Sequence, residues 1–459
     1  MKQDRKSLLS NQLKKSSKVI SMEKIISTPC GKIKGTADSS KGTVSFKGIR
    51  YATAERWKYA ELVTSWDGTY DATAYGNCSY QPRSFYNEEE NPKKIFYYNE
   101  FRKGETYTYD EDCLYLNIWT SENADENSKM PVLVYIHGGG FTGGCGHEKH
   151  FDGPVWAEKG IVCVTINYRL GPMGFVCLPE LKEESGHTGN YGLFDQITAL
   201  EWVKNNISAF GGDPTKITIM GQSAGAMSVQ HLCQSEVTDG LFRSAVLSSG
   251  VGMGSMMTSK PEKAYGFWKE VMKNSGAETL EDFRKLPPEE LFIQWKKAKG
   301  NMTNTSPVKD GLLIKDGAKP KNIPYMAGST SHDIAPAVLY MMTKKWGMKN
   351  GAYVWHFNRM LPGDDKGAWH SSDLWYWFGT LKNCWRPMED KDFTLSEEMS
   401  SYLCNFVKNG NPNGDGLPLF EKSDLTKKVM LFGENKTGMG KPDMKKLVIT
   451  TLTNKPVGE

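Results

Sequence analysis

The stretch KITIMGQSAGAMSVQ (residues 216–230) decides the fold. Its first part alternates apolar residues as a strand does, and its second part is a helix-forming run. Between them stands Ser223, flanked by Gly221 and Gly225. A G-x-S-x-G between strand and helix makes a tight turn that strains the serine and thrusts its hydroxyl outward. Side chains at 221 and 225 would collide with neighbouring backbone there, which glycine avoids. The helix behind it aims its positive end at the same spot and favours negative charge. The same five letters also suit an ordinary turn with serine as a helix cap. Strand and helix on the correct sides favour the catalytic reading.

On both sides of this stretch the chain alternates strand and helix signals. MPVLVYIHGGG (130–140) and GIVCVTINYRLG (160–171) are near-continuous apolar runs, as buried parallel strands are. Leu193, Ile197, Leu200, Val203 and Ile207 recur at helical spacing, and GGDP (211–214) stops that helix. Further strands follow at RSAVLSSG (243–250), IPYMAGS (323–329) and AYVWHFNR (352–359), and the last helix, around 395–410, closes at Gly410. This order predicts an α/β fold, a mostly parallel twisted sheet flanked by helices with sites at the strands' carboxyl ends. The β-rich region over about 23–120 predicts an antiparallel extension, with NEEENPKK (87–94) as an exposed loop. Residues 1–22 are expected to be a flexible tail, residues 23–459 one domain, and 255–305 a helical, cap-like insertion.

A serine hydroxyl needs a base to take its proton and donors to hold the oxyanion. HGGGF (137–141) follows a strand and offers backbone N–H groups without side chains in the way. Gly139 and Gly140, with Ala224, are the expected oxyanion donors. The alternatives are a plain glycine-rich turn or a phosphate loop, and the latter is disfavoured because no Lys-Ser/Thr follows the glycines and the G-x-G-x-x-G spacing to a helix is missing. His370, in GAWHSSDLWYWFG (367–379), is the expected base. His137 is read as a prop of its loop and His356 as a core residue. His147, Glu148 and His150 form an H-E-x-H that lacks the helical H-E-x-x-H spacing, so no metal is expected. Asp333, in the turn after YMAGST, is the expected acid that fixes the imidazole tautomer. Asp310 reads as a turn residue and Asp373 as a support or helix cap. Trp375, Tyr376, Trp377, Phe378 and Trp385 read as core packing in preference to a pocket lining.

Composition narrows the function classes. Lys and Arg number 57 against 53 Asp and Glu, and no basic block lies beyond the first nineteen residues, so nucleic acid is not an expected partner. No apolar run approaches the roughly 20 residues of a membrane helix. The first twenty residues have a basic start but a broken apolar stretch, unlike a secretory leader. Nine cysteines cannot all pair and no C-x-x-C occurs, so zinc and redox motifs are absent and a cytoplasmic setting is expected. No cofactor is required, and a small-molecule ester is the expected partner.

The set EDCLYLNIW (111–119), HGGGF, NYRLGPMGF (167–175), the long run from Gly189 to Gly225, AGSTSHD (327–333) and GAWHSSDLWYWFG resembles the type-B carboxylesterase family. That family includes cholinesterases and bacterial para-nitrobenzyl-type esterases. The resemblance implies an α/β-hydrolase fold and ester hydrolysis through an acyl-serine, with Ser223 as nucleophile, Asp333 as acid, His370 as base, and Gly139, Gly140 and Ala224 as oxyanion hole. Four features depart from the family pattern. Gln222 replaces the usual glutamate, and Asp333 replaces a more common glutamate. Cys78 and Cys113 match a disulfide of secreted relatives and are expected here as thiols. Only 36 residues, 334–369, separate Asp333 from His370, which implies a reduced cap and a more open pocket. Relatives that lack the serine act as adhesion modules. Amides, thioesters and carbamates are alternative substrates for the same chemistry.

Overall fold

Five successive buried residues, Val132–Ile136, belong to a strand that is apolar on both faces. Val132, Val134 and Ile136 enter one hydrophobic layer, while Leu133 and Tyr135 enter the other. Such period-two partition is what a strand covered on both sides requires. The computed structural model describes residues 22–434 and 436–453. The expected tail therefore lies outside the described residues, apart from Met22.

The strands are β1 (Met22–Thr28), β2 (Gly31–Asp38), β3 (Thr43–Arg50), β4 (Thr69–Asp71), β5 (Tyr115–Ser121), β6 (Met130–Ile136), β7 (Val162–Ile166), β8 (Gly212–Gln222), β9 (Ser244–Ser248), β10 (Tyr325–Thr330), β11 (Tyr353–Phe357), β12 (Val429–Phe432) and β13 (Thr437–Gly440). They form one sheet in the order β1-β2-β3-β5-β7-β6-β8-β9-β10-β11-β12-β13, with β4 beside β2. From β7 to β12 every pairing is parallel. The β1, β2, β3 and β5 arm and the final β13 are antiparallel. The parallel sheet between helices is the one that the alternation predicts, and its order is that of the α/β-hydrolase fold that the resemblance implies.

Helices α1 (Tyr191–Asn206), α2 (Ala224–Gln234) and α3 (Pro336–Asn350) cover one face, and α4 (Asp390–Asn409) covers the other. A 3-10 turn and the left-handed Gly211 end the α1 segment, as GGDP predicts. Strand β8 begins at Gly212, and its register jumps from Met130↔Gly212 to Val132↔Ile217. Residues 213–216 thus bulge out before the regular pairing that leads to Ser223. Trp375, Tyr376, Trp377 and Phe378 are fully buried in the α4 layer, the core role expected of them, while Trp385 is half exposed. Three helices between Pro261 and Lys297 carry a third apolar cluster, in which Trp268, Leu291 and Trp295 pack with Met173, Val176 and Leu181. Among the described residues no helix is long and apolar enough to cross a membrane.

Candidate active site

Ser223 joins β8 to α2 at φ 57° and ψ −126°, a conformation that a non-glycine residue holds at a cost of about 1–3 kcal/mol. Its N–H donates to Ser248 O at 2.9 Å and its carbonyl accepts from Met227 N at 3.0 Å, which pins the bend from both sides. A Cβ at Gly221 would lie 2.3 Å from Gly225 O, and one at Gly225 only 2.1 Å from Ile136 O. The collisions expected from the sequence are therefore the reason for both glycines.

Strand β6 ends beside β8, so the loop that leaves it at His137 is delivered to Ser223. Gly139, at φ +108°, lets its carbonyl accept from Thr142 N at 3.1 Å and Gly143 N at 2.9 Å in a tight turn. Among the described residues the N–H groups of Gly139 and Gly140 have no protein acceptor. Ala224 is the first residue of α2, where an N–H has no partner within the helix. His137 stacks on Tyr168 at 4.5 Å and lies 2.8 Å from Gly138 O through Nδ1. Burial pushes its imidazole down to about 4, so it stands as a neutral prop.

Asp333 and His370 come from two loops stitched together by His332 N donating to Ala368 O at 3.0 Å. His370 Nδ1 bonds Asp333 Oδ1. The carboxylate also accepts from Ser249 Oγ at 2.6 Å, Ile334 N at 2.8 Å and Thr330 N at 3.1 Å. Burial pushes Asp333 up, but the His370 charge and these bonds outweigh it and hold the carboxyl below its ordinary value. It is an anion at neutral pH and accepts the hydrogen bond from Nδ1–H. Nε2 is then the acceptor, and the Gln222 side-chain amide donates to it at 3.1 Å. Among the described residues no hydrogen bond joins Ser223 Oγ to His370. The His370 imidazole is held by the residue immediately before the serine.

Ser223, Gly138, Gly139, Gly140, Gln222 and His370 line one cavity of about 410 Å³. Phe101, Ile334, Leu374 and Met302 supply apolar wall, Met302 arriving from beyond the helices of the third cluster.

Other expectations resolve into structural roles. Asp310 accepts from the backbone of Leu312, Leu313 and Ile314 and so shapes a turn. His356 is buried, with Nδ1 3.4 Å from Ser329 Oγ. Glu148 pairs with Arg83 at 2.7 Å and Arg102 at 3.1 Å. Burial pushes it up, but those guanidinium groups pull it down to about 2. His150 stacks on Phe101 at 3.7 Å, so the H-E-x-H side chains do not converge. Cys78 and Cys113 are both free. Ser249 is the residue that sequence reasoning missed. Its position directly after β9, at the same sheet edge as Ser223, was the available signal.

Asp373 stands at the N-cap position of the helix that follows it, but its side chain makes no capping hydrogen bond there. It accepts from Ser248 Oγ at 3.0 Å and Trp377 Nε1 at 3.1 Å, and its Oδ1 is buried without a partner. Burial pushes this carboxyl from 3.8 up to about 6. The raised value means that the proton stabilises the fold fully below pH 3.8 and that this gain is lost as pH rises through about 6. Asp373→Asn is therefore expected to stabilise the protein by up to about 3 kcal/mol near pH 8, and by about 1.4 kcal/mol less near pH 5. Urea unfolding at the two pH values checks it, and a variant no more stable at either contradicts it.

A family model described as Carboxylesterase family matches residues 22–350 and 339–448. The para-nitrobenzyl esterase of Bacillus subtilis (strain 168) is 40% identical over 231 residues, 49% of this chain and 43% of that protein. The fumonisin B1 esterase of Sphingopyxis macrogoltabida is 38% identical over 223 residues, 47% of this chain and 38% of that protein. The chain thus spans about half or less of the length of these relatives. A solved PNB esterase superposes with TM-score 0.78 at 26% identity, covering 95% of this chain and 100% of that one. A Geobacillus stearothermophilus carboxylesterase does so with TM-score 0.74 at 26% identity, covering 93% and 99%.

Proposed function

The chain belongs to the carboxylesterase family, and on that premise we propose that it hydrolyses small to medium carboxylic esters through an acyl-serine intermediate. The observation that carries this reading is the buried Asp333–His370 couple, whose Nε2 faces the residue adjoining Ser223 on the strained elbow.

In this mechanism an ester carbonyl enters the cavity with its oxygen toward Gly139, Gly140 and Ala224. His370 leaves the Gln222 amide, and its Nε2 takes the Ser223 proton as Oγ attacks the carbonyl carbon. The three N–H groups hold the developing oxyanion, each supplying about 3–4 kcal/mol of transition-state stabilisation. Asp333 keeps the Nδ1 proton in place and balances the imidazolium. His370 then gives its proton to the leaving alcohol oxygen as the C–O bond breaks. Water, deprotonated by the same nitrogen, attacks the acyl carbon, and as the C–Oγ bond breaks His370 returns that proton to Ser223 Oγ and the acid leaves. The Phe101, Leu374 and Met302 wall suits apolar acyl or alcohol groups.

A panel of para-nitrophenyl esters against the matching anilides tests the bond class. The expected result is a pre-steady-state burst of nitrophenol with short and medium acyl chains, and anilide turnover lower by at least about 100-fold, the scale of about 3 kcal/mol in the barrier. Anilide turnover equal to that of the esters would move the reading to an amidase.

A further inference from the structure

Cys78, Cys145 and His147 take no part in the mechanism above. Cys78 begins a short strand, Cys78–Ser79, while Cys145 and His147 follow the glycine loop. The fold closes the 69-residue separation between Cys78 and His147 and sets Cys78 Sγ 3.7 Å from His147 Nε2. The two sulfurs and an imidazole nitrogen all lie within 4.8 Å of one another. Both cysteines are buried free thiols, and His147 is half-buried. Tyr75 stacks on the His147 ring at 4.5 Å and 12°, which fixes the plane of the imidazole.

Two sulfurs and one imidazole form a donor set for a soft or borderline cation, and a poor one for magnesium or calcium, which take oxygen. With metal–sulfur and metal–nitrogen bonds of about 2.3 and 2.1 Å, tetrahedral geometry separates S from N by about 3.6 Å. The observed 3.7 Å edge has that length before any ion is added. Charge balance points the same way, because two thiolates and a neutral imidazole cancel a divalent cation in a buried place. Arg83, with Nη2 3.7 Å from Cys145 Sγ, is itself paired with Glu148 at 2.7 Å and adds no uncompensated positive charge.

We infer that Cys78, Cys145 and His147 form a binding site for a thiophilic cation of the zinc class, at the outer end of the loop that carries Gly139 and Gly140. Among the described residues no fourth Cys, His, Asp or Glu joins the group, which leaves one tetrahedral position to water. The site sits astride a contact that already holds the loop. Gly144 N donates to Gln81 Oε1 at 2.9 Å, and Gln81 Nε2 donates to Gly144 O at 3.0 Å. A cation linking Cys78 to Cys145 clamps both sides of that contact. These ligands lack the short regular spacing of a metal motif, because Cys78 reaches the other two from a strand 69 residues away from His147.

Co2+ is the probe, added to the full chain after reduction and removal of metal by a chelator. The expected result is uptake of one equivalent with an intense thiolate-to-cobalt absorption, bleached by one equivalent of Zn2+. Cys145→Ser should abolish that absorption, and His147→Ala, at a half-buried position, should weaken it. Cys384→Ser, a thiol outside the cluster, should leave it unchanged. Reduced, folded wild-type protein that develops no such band overturns the proposal, whether or not an oxidant then joins Cys78 to Cys145. A band that persists at full strength in both Cys145→Ser and His147→Ala overturns it too. The readout is independent of ester turnover, so it stands or falls apart from the proposed activity.

Discussion

Ser223→Ala is expected to lower ester turnover by about 10⁶-fold, the scale seen when a serine hydrolase loses its nucleophile. The size of the effect follows from the absence of a substitute. Ser249 Oγ is committed to Asp333 at 2.6 Å, and Ser248 Oγ to Asp373 at 3.0 Å. Ser371 also borders the cavity, but it follows His370 in the chain and does not sit on the elbow between β8 and α2. What remains is the binding and oxyanion contribution, about 10³–10⁴ over water. Alanine tolerates the elbow as well as serine does, so the unfolding midpoint should be unchanged. Turnover of a para-nitrophenyl ester checks this, and activity within tenfold of wild type contradicts it.

Asp333→Asn is expected to lower kcat by about 10⁴-fold with little change in KM. The carboxylate accepts one imidazole N–H, one hydroxyl and two backbone N–H groups. An asparagine amide has one acceptor oxygen and must turn its NH2 toward donors, either the backbone and Ser249 or His370 Nδ1. In the second arrangement the imidazole adopts the opposite tautomer, with a proton on Nε2 where the base needs a lone pair. The variant should also lose stability. Asp333 lies below its ordinary value, so its ionised form stabilises the fold above about pH 4, and that gain is lost as pH falls. Steady-state kinetics with a para-nitrophenyl ester, beside urea unfolding at neutral pH, measure both effects. A kcat within tenfold of wild type removes Asp333 from the proposed triad.

The sheet was legible because burial on both faces leaves a direct trace, the near-continuous apolar runs of β6, β7 and β9. The elbow was legible for a similar reason, since its glycines answer to backbone 2.1–2.3 Å away from any added Cβ. His370 and Asp333 could be ranked because each follows a strand in the order that the hydrolase template demands. The remainder depends on side chains that meet from distant segments. Gln222 reads in the sequence only as a departure from glutamate, yet its amide bonds His370 across 148 positions. NEEENPKK is largely exposed, as expected, yet Glu88 pairs with Arg102 at 2.6 Å to fix one wall of the cavity. Met302 and the Cys78–Cys145–His147 cluster likewise leave no periodic or spaced signal.

Mapping the adduct left by an organophosphate gives the most direct measurement. Stoichiometric treatment of the wild-type chain, followed by peptide mass analysis, should find one phosphoryl group per chain, on Ser223, with activity lost in proportion. Label on another residue with Ser223 unmodified, or full activity after Ser223 is labelled, would contradict the assignment of this serine as the nucleophile.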